Sequence, residues 1–290
     1  MEPKRTDALL ALGERVLNDS THLFEDHDHK RESEELLAYV LRVEVDDLDD
    51  DFVPQRRERD RFLALVARRA AGEPFPLLTG HITFYGLDLK VKPGMFMPRP
   101  SSELVVARAA KRLRSRRDPV VVDVATGTGP IAIAIADEFP EATVYGTDIA
   151  GDMLVLGRSN AREHEVDNVR FLRGDMYGAL PASIKGRVDV ITGHVPYVPS
   201  EELEDLPTEV REHEPISTLS DETEEGLYLL RRAVEEAPTW LKPGGWLLLE
   251  ISDDLGSRVR RLCRRSGLED HGLASDEDEL SVVVEARRPR

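Results

Sequence analysis

Cysteine is almost absent from this chain of 290 residues, which contains Cys263 alone. A single cysteine excludes both an internal disulfide and a cysteine-based zinc cluster. Cys263 lies in an arginine-rich stretch with helical spacing, and free cysteine usually behaves as a small apolar residue. We therefore interpret Cys263 as a buried structural thiol rather than as a nucleophile.

Long apolar runs and an excess of basic residues are also missing. No stretch approaches the about 20 apolar residues of a membrane-spanning helix, and the N-terminal residues lack the apolar core of a signal peptide. Against 39 Lys and Arg stand 56 Asp and Glu, a net charge of -17, which disfavours general attraction to a nucleic acid backbone. We expect a cytoplasmic monomer that binds neither membranes nor nucleic acid.

The residues that are present predict a globular protein with more than one part. Hydrophobic residues make up 40% and charged residues 33%, and the length suits one large domain or a domain with a smaller one. Apolar residues recur at helical spacing three times between residues 5 and 72, which predicts a helical domain over 1–73. Proline and glycine then punctuate short apolar runs, which predicts a bridging β-hairpin within 74–97.

A short tract in the helical region contains His27 and His29, each next to an aspartate. Such a tract is compatible with a metal site or with a solvated loop. Because short His/Asp tracts are weak metal signals, we interpret it as a loop and expect no metal site in the chain.

From residue 118 onward, strand-like runs alternate with helical patterns. The predicted strands cover 119–122, 143–149, 169–172, 188–192, 246–251 and 280–286, with a possible antiparallel partner of the last strand beginning at 272–274. The segment 130–139 alternates Ile and Ala with the period of a strand, but its alanines and its position after a glycine turn favour a helix. This alternation predicts an α/β domain over 98–290, built on a mostly parallel, doubly wound sheet.

Acidic residues lie at the ends of the first three predicted strands. Asp123 is followed by a turn containing Gly127 and Gly129, and Asp148 and Asp175 come at or just after the next two strand ends. Ligands bind at this edge of open α/β sheets, and the loop matches neither the dinucleotide fingerprint nor a P-loop. Each acid alone can also be a cap or turn residue. Together they favour a nucleoside-type cofactor, with Asp148 at the ribose hydroxyls and Asp175 near an adenine amino group.

These features resemble the class I S-adenosylmethionine-dependent methyltransferases. More narrowly, the chain is similar to the protein N5-glutamine methyltransferases that modify the Gly-Gly-Gln loop of peptide chain release factors. Beyond the glycine loop, the resemblance is carried by the segments 34–41, 78–86, 97–103, 193–197, 212–215 and 226–227. It implies a Rossmann-like sheet with an antiparallel last strand, an N-terminal helical domain for the substrate or partner, S-adenosylmethionine as cofactor and a release factor as protein partner.

The resemblance also implies which residues form the site. The expected cofactor-binding residues are Pro98, Arg99, Asp123, Ala125, Thr126, Gly127, Gly129, Asp148, Ile149, Asp175, Met176 and His194. The turn that holds the acceptor implies His194, Val195, Pro196 and Tyr197 as catalytic residues.

Three parts of the chain depart from the family pattern: Ala125, the segment 220–226 and His194. Ala125 replaces the first glycine of the loop; a methyl group fits there if the backbone φ stays negative, so we expect cofactor binding to survive. The segment 220–226 lacks the family's glycine pair, so this loop can present a different surface to the partner.

His194 replaces the usual Asn of the tetrapeptide Asn-Pro-Pro-Tyr. Neutral histidine has one donor and one acceptor on opposite sides of its ring, so it cannot reproduce the paired contact of Asn with an amide. It can instead act as a general base or orient an acceptor through one nitrogen. Three interpretations stay open: glutamine methylation is retained; the acceptor is another protein nitrogen, a small molecule or adenine N6; or the chain is a non-catalytic cofactor-binding module.

Overall fold

The computed structural model describes residues 4–23, 28–275 and 282–290. His27 and the first two residues of the predicted strand 280–286 therefore lie outside the described residues. The helices are α1 (Thr6–Asn18), α2 (His29–Leu41), α3 (Arg56–Ala70), α4 (Phe75–Thr79), α5 (Glu103–Leu113), α6 (Pro130–Glu138), α7 (Gly151–Glu163), α8 (Thr208–Arg211), α9 (Tyr228–Trp240) and α10 (Gly256–Arg265). The strands are β1 (His81–Phe84), β2 (Leu87–Lys90), β3 (Val120–Val124), β4 (Thr143–Asp148), β5 (Val169–Arg173), β6 (Val188–Gly193), β7 (Leu241–Ile251), β8 (Glu269–Ser275) and β9 (Val282–Arg287).

The contacts divide the chain into two compact units. The first comprises Met1–His81, Val91–Gly94 and Asp205–Glu214, and the second comprises Ile82–Lys90, Met95–Glu204 and Pro215–Arg290. In the first unit, the apolar faces of α1, α2 and α3 meet in a buried core that includes Leu9, Leu36 and Phe62. Helical spacing of these residues is what allows the three helices to share one core.

An ion-paired arginine lies inside the first unit. Arg69 is 1% exposed, and its guanidinium lies 2.8 Å from a Glu32 carboxylate oxygen and 2.7 Å from one of Glu209. Glu209 belongs to the Asp205–Glu214 segment, which comes from a distant part of the chain. This buried network ties that segment to α2 and α3, and removal of either glutamate would leave a buried charge less well compensated.

The histidine tract differs from its interpretation as a solvated loop. His29 is 6% exposed and begins α2, and its Nδ1 lies 2.8 Å from Oδ1 of Asn18. The reason is local: the Asp28 carboxylate accepts a hydrogen bond from the backbone N–H of Arg31, which caps the helix and turns His29 inward. Over the described ranges, no cluster of three His, Cys, Asp or Glu side chains is placed to hold a metal ion.

The segment 74–97 contains the predicted hairpin, formed by β1 and β2, but it starts with the short helix α4. The sequence reasoning missed this helix. Pro76 lies in its first turn, where proline is tolerated, and Gly80 ends it with a φ of 84°. None of the helices in the described part of the chain is long and apolar enough to cross a membrane.

The second unit is built on a seven-stranded sheet in the order β5-β4-β3-β6-β7-β9-β8. The first five strands of this order are parallel, and β9 runs antiparallel to both β7 and β8. The predicted mostly parallel sheet with an antiparallel last strand is confirmed. Strand β7 starts earlier than predicted because the turn at 242–245 lies within it, where its pairing with β6 shifts register.

Both faces of the sheet are covered. Val122 and Ile191 belong to the core on one face, whereas Val121 and Val190 belong to the core on the other face. Successive side chains of a strand point to opposite faces, so strands without polar alternation are expected where helices cover both sides of the sheet. Helix α6, predicted against its strand-like period, is confirmed, and it is buried along most of its length.

Cys263 is confirmed as a buried residue of α10. Its side chain is fully covered within the core on one face of the sheet. Burial disfavours the thiolate and raises the pKa of this thiol to about 12. Such a thiol is unsuited to act as a nucleophile.

Candidate active site

Parallel pairing brings four strand ends of the second unit to one edge of the sheet. Val124 pairs with Thr147 and with Gly193, and Asp148 pairs with Arg173. The loops that follow β3, β4, β5 and β6 surround one cavity. It is lined by Phe96, Ala125, Gly127, Thr147, Asp148, Ile149, Ala150, Met153, Gly174, Asp175, Met176, His194, Pro196, Ser217, Thr218 and Leu229.

The two glycines of the loop after β3 have different roles. Gly127 lines the cavity with a φ of 57°, and its backbone N–H donates to Asp148 Oδ2 over 2.8 Å. Gly129 has a φ of 82° and is not part of the lining; a Cβ there would lie 2.5 Å from the ring of Phe171. Gly127 therefore permits close approach to a ligand, whereas Gly129 permits close packing of the loop.

Ala125 adopts a positive φ of 51°, so the condition that φ stays negative is not met. The chain leaves β3 through a left-handed residue, and that geometry is imposed by the turn, whichever side chain occupies the position. For alanine this conformation costs about 1–2 kcal/mol. The Ala125 methyl group lines the cavity, so the strain lies directly at the candidate site.

Asp148 is the carboxylate best arranged to bind a ligand. Oδ2 accepts from Gly127 N and Oδ1 accepts from Ala150 N, both over 2.8 Å. Burial raises the pKa of this carboxyl, while these backbone donors oppose the rise. An ionised carboxylate has about four lone-pair sites, so each oxygen retains capacity toward the cavity. A vicinal diol, such as that of a ribose, fits this arrangement.

Asp123 does not line the cavity; it is buried and stabilises the loops around the cavity. It is 1% exposed and accepts hydrogen bonds from the hydroxyls of Thr126 and Thr192. Burial raises the pKa of Asp123 to about 6, against the opposing effect of these two hydroxyls. The carboxyl joins the ends of β3 and β6, so its contribution to the cavity runs through the loops that it holds.

Asp175 lines the cavity, but its carboxylate already has a partner. Both of its oxygens accept from Arg232 Nη1 of α9, over 2.8 and 2.7 Å. Sequence reasoning missed Arg232, and no motif marks it. The neighbouring Met176 lines the cavity with a φ of 48°.

Apolar side chains that the motifs did not identify complete the walls. Met153 of α7 and Leu229 of α9 line the cavity beside Ile149, which is 58% exposed. Such a surface suits a flat apolar group such as an adenine ring. The remaining lining residues that sequence reasoning missed are Phe96, Thr147, Ala150, Gly174, Ser217 and Thr218.

Some predicted site residues lie just outside the lining. Pro98 is buried, and the Arg99 guanidinium lies 4.9 Å from the ring of Phe96, which is the residue of this segment that lines the cavity. Val195 is fully buried in the core. The remaining predicted residues outside the lining are Thr126, Gly129, Asp123 and Tyr197.

His194 joins the acceptor turn to the cavity. Its ring is stacked on Tyr197 with centroids 5.5 Å apart, and the ring of Phe96 meets it nearly perpendicularly at 5.6 Å. Its Nδ1 lies 3.1 Å from Oε2 of Glu250 and 3.2 Å from Oγ of Ser102. Burial raises the pKa of the Tyr197 hydroxyl well above its usual range, so this tyrosine stays neutral.

Glu250 is the main residue of this cluster that the motifs did not reveal. It is 1% exposed and follows Leu249, which pairs with Gly193, so the strand register brings it beside His194. Burial alone raises the pKa of its carboxyl. The electrostatic and hydrogen-bond interaction with the facing His194, together with the hydroxyl donors Ser102 and Ser101, reverses this effect and holds the pKa at about 2.

Comparison with known proteins places this cavity in context. A family model described as a methyltransferase domain matches residues 115–280. The release factor glutamine methyltransferase of Streptomyces coelicolor is 36% identical to this chain, over 79% of this chain and 80% of the relative. That of Moorella thermoacetica is 38% identical, over 71% and 72%.

A solved structure agrees at the level of the fold. The crystal structure of a methyltransferase from Pyrococcus furiosus matches with a TM-score of 0.53 at 18% identity, over 81% of this chain and all of that one. The predicted methyltransferase fold is therefore confirmed. On the sequence identity and coverage of its relatives, this chain is a methyltransferase that belongs to the release factor glutamine methyltransferase family.

Proposed function

We propose that this protein transfers a methyl group from S-adenosylmethionine to the side-chain amide nitrogen of a glutamine in a peptide chain release factor. One observation carries the proposal: His194 and Pro196 of the acceptor turn line the same cavity as Gly127 and Asp148. A cofactor and an acceptor bound at these two places meet in one cavity. Family membership supplies the substrate, since the relatives carry it in their names.

The described residues fit the cofactor. Asp148 would accept the ribose hydroxyls, and the apolar walls at Ile149, Met153 and Leu229 would enclose the adenine. When bound, S-adenosylmethionine supplies a methyl group on a positively charged sulfur, which is a strong electrophile. The remaining task of the protein is orientation, and holding reactants in place accounts for much of an enzymatic rate.

The acceptor turn performs this orientation. Its backbone carbonyls at His194 and Val195 are hydrogen-bond acceptors for an amide N–H, and Pro196 stiffens the turn through its fixed φ. Tyr197 stacks on His194 and stays neutral, so it holds the His194 ring in place without adding a charge. None of these contributions requires a charged nucleophile in the protein.

The test is methylation of a purified bacterial release factor with methyl-labelled S-adenosylmethionine. We expect a mass increase of one methyl group on the glutamine of its Gly-Gly-Gln loop, located by peptide mass spectrometry. A release factor with that glutamine replaced by asparagine is the matched control. Label on another protein, on RNA or on DNA, with none on this glutamine, would contradict the proposed acceptor.

We further propose that the helical region 1–73 contributes to release factor binding. Phe52 and Val53 are large apolar residues of this region that are 47% and 52% exposed. Replacing both by serine should raise KM for the intact release factor and leave KM for a short Gly-Gly-Gln peptide unchanged. An equal change for both substrates would argue against such a role.

The release factor acts in translation, so we place this protein in the cytoplasm, where it acts as a monomer. Sedimentation of the purified protein tests the second statement. A mass near 32.5 kDa is expected. A mass twice as large at assay concentrations would contradict it.

A further inference from the structure

His194 is held by an acidic residue that lies behind it. The pairing of β6 with β7 ends with Gly193 opposite Leu249, so the next residues, His194 after the end of β6 and Glu250 within β7, lie side by side. Nδ1 of the imidazole lies 3.1 Å from Oε2 of Glu250. This contact depends on a histidine at position 194.

Glu250 is in turn fixed by two hydroxyl groups. Ser102 Oγ donates to Oε2 over 2.5 Å, and Ser101 Oγ donates to Oε1 over 2.8 Å. A carboxylate that receives donors on both oxygens is favoured in its ionised form. An ionised carboxylate only accepts hydrogen bonds, so the nitrogen facing it must carry the proton. The proton of neutral His194 therefore lies on Nδ1.

Because Nδ1 of His194 faces Glu250, Nε2 is the ring nitrogen that remains available to a ligand in the cavity. Nε2 lies on the opposite side of the ring, and no hydrogen-bond partner faces it among the described residues. His194 lines the cavity, and its ring is clamped by the stacked Tyr197 and the perpendicular Phe96. The cavity thus meets an imidazole nitrogen with a free lone pair in a fixed orientation.

We propose that Nε2 of His194 accepts the proton that the acceptor nitrogen loses during methyl transfer, and that Glu250 is a positioning residue for it. This inference rests on the proposed function. The acceptor nitrogen forms a bond to the methyl carbon, and the carbon–sulfur bond breaks with its electron pair staying on sulfur. The extra proton of the nitrogen goes to Nε2, and the resulting imidazolium is stabilised by the carboxylate of Glu250.

Other ionisable groups face this ring and must be separated from its effect. They are Asp123 at the end of β3 and Tyr197 in the same turn; Arg99 lies one step further away, over the ring of Phe96. Burial raises the pKa of Asp123 to about 6, so this group contributes its own pH dependence in every variant. The pH dependence of activity must therefore be compared between the wild type and its variants, because a single pH profile does not separate His194 from Asp123.

The first experiment reads the protonation of His194 without cofactor or acceptor. Nitrogen-15 NMR of the imidazoles distinguishes the two neutral forms, and His194→Asn identifies the signals of this residue. We expect the Nδ1–H form at pH 8. Finding the Nε2–H form, or a ring that carries both protons at this pH, would overturn the inference whatever the acceptor is.

The second experiment compares pH profiles of glutamine methylation for the wild type, Glu250→Gln and His194→Asn. Glu250→Gln removes the carboxylate that stabilises the imidazolium, so the acid limb of its profile should move to lower pH, and His194→Asn should abolish this limb. An unchanged acid limb in both variants would refute the proton-accepting role while leaving the proposed acceptor intact.

If the wild type binds cofactor but forms no methylglutamine, the proposed function fails instead, and the NMR result still decides the role of His194.

Discussion

Gly226 is a glycine whose replacement should disable the acceptor turn directly. It has a φ of 60°, and a Cβ at this position would lie 2.0 Å from the backbone carbonyl oxygen of Tyr197. Contacts of a Cβ below 3.0 Å are essentially never seen, so the turn would have to move by about 1 Å. The clashing oxygen belongs to the backbone, which cannot move aside at the low energetic cost possible for the end of a flexible side chain.

The chain offers a matched control in Gly186. Its φ is 69°, and a Cβ there would meet nothing within 4 Å. Gly186→Ala and Gly226→Ala therefore share the cost of a left-handed alanine, about 1–2 kcal/mol, and differ in the clash with the turn. The clash adds strain to Gly226→Ala and displaces Tyr197 together with the residues before it.

We expect both variants to lose stability, and only Gly226→Ala to lose activity. A displacement of about 1 Å in a positioning element can reduce a rate by about 100-fold. Urea unfolding measures the first effect, and methyl transfer under conditions where both variants are folded measures the second. If Gly226→Ala is as active as Gly186→Ala, the turn does not position the acceptor as argued.

The loop residues give three further predictions. Ala125→Gly should raise the free energy of unfolding by about 1 kcal/mol, because glycine adopts the φ of 51° without strain; urea unfolding checks this, with Ala134→Gly in a helix as the destabilising contrast. Asp123 has its pKa raised by burial from 3.8 to about 6, so the wild type loses about 3 kcal/mol of stability as pH rises through this range. Asp123→Asn removes this loss, and a constant difference between the two proteins across that range would contradict the account. Asp148→Ala should weaken S-adenosylmethionine binding by about 1.5–3 kcal/mol for each charge-assisted hydrogen bond lost, as measured by calorimetry; Asp152→Ala, outside the cavity lining, should bind normally.

The alternating pattern of apolar runs and turn residues was enough to predict the sheet and its helices. Because both faces of the sheet are buried, each strand is a continuous run of apolar residues in the sequence. The ends of these runs locate the loops that begin after Asp123 and Asp148. The motifs also identified Gly127, Asp148 and His194, because these residues follow directly from strand ends that can be read in the chain. Local sequence carries this information because the strand ends and their loops are contiguous in it.

The tertiary structure alone decided which side chains meet. Glu250 comes from a strand 56 residues after His194, and only the register of β6 on β7 places them together. The same holds for Arg232 opposite Asp175, and for Phe171, whose ring makes Gly129 necessary. The left-handed φ of Ala125 also escaped sequence reasoning, because the turn geometry is imposed by the strands around it. Pairings between distant segments depend on register and packing, which composition and spacing do not encode.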